Sequence, residues 1–220
     1  MMKQRVIETE NGLQGKTNAE SYDRMMRKSR DNNILYTDKI IKAGIASGPA
    51  LEIGPGPGYL GLEWLKKTAN TTLKGVDISA DMVKIAEKNA AEYGFLTTRA
   101  RYFKGNAVRL PFSDRSFSAV FTNAALHEWE DPVAVCNEIH RVLKPGGRYF
   151  ISDLRRDMNF LVKTFLKLST QPKEMRAGVD APINASYTKD EVRLLLLKTK
   201  LNGYTITANP FSIIISGIKQ

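Results

Sequence analysis

Gly54, Gly56 and Gly58 stand at alternate positions between the apolar run Pro49-Ala50-Leu51-Glu52-Ile53 and the helical pattern Tyr59-Leu60-Gly61-Leu62-Glu63-Trp64-Leu65. A short buried strand, a glycine turn and a helix N-terminus make a cradle for a small ligand. Glycine reaches φ > 0 and leaves no Cβ between backbone and ligand, and the N–H groups of the first helical turn are expected to face it. Gly75-Val76-Asp77-Ile78-Ser79 adds a carboxylate at the tip of a second strand, where its two oxygens can accept both hydroxyls of a ribose. The plainer alternative is that Asp77 only caps the next helix. Gly56-x-Gly58-x-x-Gly61 is formally the GxGxxG of nicotinamide and flavin enzymes. Against that reading, Pro55 and Pro57 remove two donors that a pyrophosphate needs. Glu52 would also repel a pyrophosphate, but it suits a ligand that carries an ammonium group.

The run E-x-G-x-G-x-G from Glu52 to Gly58 resembles motif I of the class I S-adenosylmethionine (SAM) methyltransferases. With GVDIS, GNAVRLPFSDRSFSAVFTNAALHEWEDP and EIHRVLKPGGRYFISD, the chain is similar to the small-molecule branch that includes quinone- and sterol-modifying enzymes. The similarity covers about residues 49–153, and more weakly the C-terminal hairpin.

The resemblance implies roles. Glu52, Gly54, Gly56 and Gly58 would border the methionine and ribose of SAM, and Asp77 would take the ribose hydroxyls. Ile78 and Met82 would lie against the adenine, Asn106 and the Ala107 backbone would read its edge, and Asn123 would approach the methionine end. Tyr22 resembles an N-terminal tyrosine that closes over the cofactor, its ring or hydroxyl toward the sulfonium. Asn106 departs from the family pattern, where an aspartate is common, and Ser118 also replaces a common acid. The sulfonium already activates the methyl group, so the protein mainly aligns an acceptor. Where the acceptor must lose a proton, His127 is the candidate base, against the plainer reading that it holds the turn over residues 127–131. Transfer of a methyl group to a small molecule is the expected reaction. A methyltransferase of RNA or protein, and a SAM-binding protein without turnover, are the alternatives.

The chain has 220 residues, a net charge of +10 and one cysteine, Cys136. One domain over 1–220 is expected, with no disulfide framework and no metal site. No apolar run reaches membrane-spanning length, and MMKQRVIETE lacks a signal peptide's apolar region. The expectation is therefore a cytoplasmic protein without membrane insertion. The positive excess is spread along the chain rather than gathered in a stripe with interleaved aromatics, which argues against nucleic acid as a partner. Oligomeric state is not legible.

The elements that must hold these residues alternate. Residues 1–18 read as a loose arm, and 19–46 as two helices interrupted near Asp31-Asn32-Asn33. Strands are expected at 49–53, 72–77, 100–104, 116–122 and 148–153. Helices follow Gly58, Ser79 and Asp131, the last stopping at Lys144-Pro145-Gly146-Gly147. A doubly wound, Rossmann-like α/β sheet of seven strands results, mostly parallel and closed by an antiparallel hairpin over residues 203–217. Residues 155–187 break the alternation with an amphipathic stretch and a long loop, before a capping box at Thr188-Lys189-Asp190-Glu191. This insertion leaves the edge of the sheet that carries the ligand, so it is expected to be an acceptor lid, with Phe160, Leu161, Phe165 and Leu168 walling the pocket. The competing expectation is that this stripe packs on the core. A surplus of basic residues there points mildly to an acidic or phosphorylated acceptor.

Overall fold

The computed structural model describes residues 5–6 and 15–220. The chain opens with helices α1 (Lys16–Asp31) and α2 (Thr37–Lys42). Then β1 (Pro49–Ile53), α3 (Tyr59–Lys67), β2 (Thr72–Asp77), α4 (Ala80–Glu92), β3 (Ala100–Lys104) and β4 (Phe117–Asn123) follow in turn. A 3-10 turn over Leu126–Glu128 leads to α5 (Pro132–Val142) and β5 (Leu143–Leu154). The C-terminal part holds α6 (Phe160–Ser169), a 3-10 segment (Lys173–Gly178), α7 (Asp180–Ala185), α8 (Lys189–Leu196), β6 (Tyr204–Ala208) and β7 (Ser212–Ile218).

The seven strands lie in the order β3-β2-β1-β4-β5-β7-β6. The first five pair in parallel, and β7 runs antiparallel to both β5 and β6. The order reverses direction between β1 and β4, so a crevice opens at their C-terminal ends. Strand alternation divides the core into two layers. Leu51 and Ile53 pack with Ile139 and Leu196 on one face of the sheet, while Ala50 packs with Trp64, Leu65 and Phe121 on the other. Trp64 also donates its indole N–H to the Ile45 carbonyl at 2.8 Å, tying α3 to the chain that leads into β1. The helix starts expected at Ser79, Asp131 and Thr188 all carry side-chain caps, and Thr188 with Glu191 completes the capping box.

Three local expectations are revised. The Lys144-Pro145-Gly146-Gly147 stop lies inside β5 rather than at the end of α5, because the last strand reaches it: Gly146 N–H donates to the Lys219 carbonyl and Lys219 N–H to the Gly147 carbonyl, both at 2.8 Å. The loop over residues 171–187 contains the 3-10 segment and α7. Of the arm at 1–18, residues 1–4 and 7–14 lie outside the described residues. Arg5 and Val6 are docked, with Val6 N–H on the Asn184 carbonyl at 3.3 Å and Arg5 Nε on the Ala185 carbonyl at 2.6 Å.

Candidate functional site

The glycine loop sits at the crevice with all three glycines left-handed: φ is 63° at Gly54, 52° at Gly56 and 84° at Gly58. Each also lacks room for a side chain. A Cβ on Gly54 would lie 2.8 Å from Ala125 Cβ, one on Gly56 3.3 Å from the Tyr22 ring, and one on Gly58 2.8 Å from the Tyr102 hydroxyl. Tyr22, from α1, therefore lies directly over the loop.

The loop itself presents no amide donor. Gly54 N–H goes to the Val76 carbonyl (2.9 Å), Gly56 N–H to Asp77 Oδ2 (3.0 Å) and Gly58 N–H to the Pro55 carbonyl (2.9 Å). Pro55 and Pro57 have no N–H. From Gly54 to Gly58, every donor is either spent inside the protein or missing.

Two carboxyl groups close the same place. Asp77, at the tip of β2, accepts Ser79 N–H at 2.9 Å as well as Gly56 N–H, so it braces the loop whatever else it binds. Burial pushes its carboxyl above the ordinary range, against the pull of the surrounding N–H groups. Glu52 follows Ala50 on the α3 face of β1 and lies against Gly61, 2% exposed. Its Oε2 has no hydrogen-bond partner. Burial, and then the charge of Asp77, raise the Glu52 carboxyl well above its usual value. Among the described residues neither acid has a salt bridge. A loop without free donors, closed by two carboxyls that have no cation beside them, is a poor pyrophosphate site and a good one for a nucleoside bearing positive charge. On those grounds the residues present fit SAM.

The other positions implied by the resemblance come to the same edge of the sheet. Ile78 is half-buried and Met82 buried on α4, just beyond Asp77. Asn106 and Ala107 follow β3; Asn106 is exposed and its Oδ1 accepts Val108 N–H at 3.0 Å. Asn123 ends β4, half-buried, and its Oδ1 accepts the Ser152 hydroxyl at 2.7 Å. Ala124 then takes φ 56°, an uncommon left-handed alanine that turns the chain toward His127.

His127 has a partner that sequence reasoning missed. Asp153, at the end of β5, accepts the His127 backbone N–H at 2.7 Å and contacts its ring Nδ1 at 2.8 Å. Leu154 N–H adds a third contact to the same carboxyl at 2.7 Å. Two backbone donors make Asp153 an acceptor, so Nδ1 carries the shared proton. The signal was available: β4 and β5 are neighbours in a doubly wound sheet, so an acid ending one lies beside a histidine following the other. Both side chains are buried, and Arg5 Nη2 donates to the His127 carbonyl at 2.9 Å.

The alternative expectation for the 155–187 stripe, packing on the core, is not met: Phe160, Leu161, Phe165 and Leu168 are all largely exposed. The rest of the segment is anchored by Arg156, which is buried, donates to the Ser186 carbonyl at 2.7 Å and pairs with Glu191. Among the described residues no group of three His, Cys, Asp or Glu side chains could hold a metal ion.

Comparison with known proteins finds methyltransferases. Residues 51–151 match the family model described as a methyltransferase domain. An uncharacterized protein of Methanocaldococcus jannaschii is 36% identical over 149 residues, which is 67% of this chain and 63% of that protein. A demethylmenaquinone methyltransferase of Chlorobaculum tepidum is 33% identical over 113 residues, 51% of this chain and 43% of that one. The chain thus spans less than two thirds of the length of these curated relatives. Among solved structures, a SAM-dependent methyltransferase from Aquifex aeolicus superposes with a TM-score of 0.71 at 18% identity, covering 94% of this chain and 100% of that one.

Proposed function

We propose that this chain, whose residues 51–151 match the methyltransferase-domain model, is a class I SAM-dependent methyltransferase that methylates a small-molecule acceptor whose reacting atom gives up a proton to His127. SAM supplies a methyl carbon made electrophilic by its sulfonium. The observation that carries the cofactor reading is the loop from Gly54 to Gly58, which has no N–H to offer and is closed by Glu52 and Asp77. In this reading Asp77 takes the ribose hydroxyls, with Ile78, Met82, Asn106 and Ala107 around the adenine. Tyr22 and Asn123 bound the methionine end. His127 is the proton acceptor and Asp153 holds its ring, the arrangement a base needs when the acceptor is a hydroxyl or an acidic carbon. The segment 155–187 borders the acceptor side, with α7 and the docked Arg5 nearest to His127. A demethylmenaquinone methyltransferase among the relatives supports a lipophilic, enolisable or phenolic acceptor.

Titration calorimetry with SAM, S-adenosylhomocysteine and NAD tests the cofactor, with the two sulfur nucleosides expected to bind and NAD not. A panel of hydroquinones, phenols, RNA and protein, scored by S-adenosylhomocysteine release, tests the acceptor. Turnover confined to RNA or protein would displace the small-molecule reading. SAM binding with no turnover on any acceptor would leave a binding protein in its place. Nucleic-acid affinity is expected to be weak and to collapse with salt, since the charge is dispersed.

A further inference from the structure

Helix α6 carries an apolar stripe that no described residue covers. Phe160, Leu161, Phe165 and Leu168 are 78%, 76%, 62% and 61% exposed, and no residue of the helix is buried. By helical geometry these four, with Thr164, fall in an arc of roughly 140°. Lys163 and Lys167 lie side by side just beyond its Phe160 edge. The helix is nonetheless well made. Asn159 caps it through Val162 N–H at 2.9 Å, Lys167 reaches Asp180 at 2.6 Å, and Phe165 touches Phe211 with ring centroids 6.0 Å apart. The stripe is therefore displayed on a fixed scaffold.

Charge says what it would meet. The chain is net +10, and residues 151–220 hold eleven Lys and Arg against six Asp and Glu. Bringing two copies together stripe to stripe would set Lys163 of each against the other, within two strongly positive chains. An anionic surface suits both halves of the helix. At 1.5 Å rise per residue α6 is about 15 Å long, half the hydrocarbon thickness, so it can lie in a bilayer surface and not cross it. No helix among the described residues is long and apolar enough to cross a membrane.

We propose that α6 is an interfacial helix that docks this protein on the surface of an anionic phospholipid bilayer. Phe160, Leu161, Phe165 and Leu168 enter the acyl-chain boundary, while Lys163 meets the lipid phosphates and Lys167 keeps its bridge to Asp180. The inference goes beyond the methyltransferase reading and stands or falls without it.

Flotation of the full chain with vesicles of phosphatidylcholine alone, or mixed with phosphatidylglycerol, tests it. Binding is expected to the mixed vesicles and to weaken with salt. Phe160→Ser/Leu161→Ser should lose roughly tenfold or more in vesicle affinity, from the apolar surface removed, at an unchanged melting temperature. Lys163→Glu should lower the preference for phosphatidylglycerol at an unchanged melting temperature. Leu161→Trp keeps the stripe apolar and should shift its fluorescence to the blue when mixed vesicles are added. No flotation, equal flotation of the double serine variant, equal binding to neutral vesicles, or an unmoved Leu161→Trp spectrum would each overturn the proposal. So would a wild-type dimer in sedimentation velocity that the double serine variant turns into a monomer, which would assign the stripe to a second copy.

Discussion

Asp153 grips His127 by two groups at once, the backbone N–H at 2.7 Å and ring Nδ1 at 2.8 Å. The ring is therefore oriented by the strand that ends beside it rather than by its own turn. Asp153→Asn keeps the shape but replaces one oxygen by an amide nitrogen, which cannot accept the N–H groups that now converge there. Turnover is expected to fall by about 10²–10⁴, the usual worth of a positioned base, with S-adenosylhomocysteine affinity nearly unchanged by calorimetry. A split of the kinetics separates a positioned base from a merely structural residue: kcat should fall in the variant while KM for the acceptor and the melting temperature stay near wild type. An Asp153→Asn enzyme with normal kcat would remove the dyad from the reaction.

Gly54→Ala meets two obstacles, a left-handed φ of 63° and Ala125 Cβ at 2.8 Å. The backbone cost is roughly 1–2 kcal/mol, and the clash pushes the glycine loop away from the tip of β4. Loss of S-adenosylhomocysteine affinity together with a lower melting temperature is expected. Adding Ala125→Gly should restore part of both, by removing the contact and leaving the φ strain. A double variant no better than the single one would show that the contact is irrelevant.

The Glu52 carboxyl predicts how stability depends on pH. Folding raises it well above the ordinary 4.5, so above that pH the unfolded chain releases a proton that the folded one keeps. The unfolded state then binds fewer protons, and stability falls as pH rises from about 4.5 toward the folded value. Asp77 contributes with the same sign. Glu52→Gln removes the Glu52 share. Its melting temperature relative to wild type should therefore climb between mildly acid and neutral pH, and a difference that stays flat with pH would contradict the assignment.

Phe165→Ala distinguishes surface from core. Phe165 is largely exposed and touches Phe211, so its loss should cost less than about 1 kcal/mol, the worth of one peripheral aromatic pair. Phe121, fully buried between the sheet and α3, should cost about 3–5 kcal/mol. Chemical denaturation of the two variants is the measurement, and equal losses would put α6 in the core.

The parallel half of the sheet was legible because its signals are local. A buried run ending in glycines and a Ser or Asp before an amphipathic stretch each fix their element without tertiary help. Lys144 to Gly147 misled because proline and glycine usually stop a helix, whereas here they join a strand paired by the distant Lys219. Asp153 was overlooked for a related reason, since its role appears only when β4 and β5 lie side by side. The amphipathic period of α6 was correct, but a stripe in the sequence does not say whether protein, ligand or solvent will face it.

β7 is the last strand along the chain and yet an interior one, lying between β5 and β6. Lys219, just beyond it, is tied by its ammonium group to the carbonyls of His140 (2.7 Å) and Leu143 (2.9 Å). On the ribosome β6 therefore emerges before the only strand it pairs with, and β5 waits with one edge open until residues 212–219 are made. A nascent chain halted short of Ser212 would present that apolar edge to its neighbours, a template for aggregation.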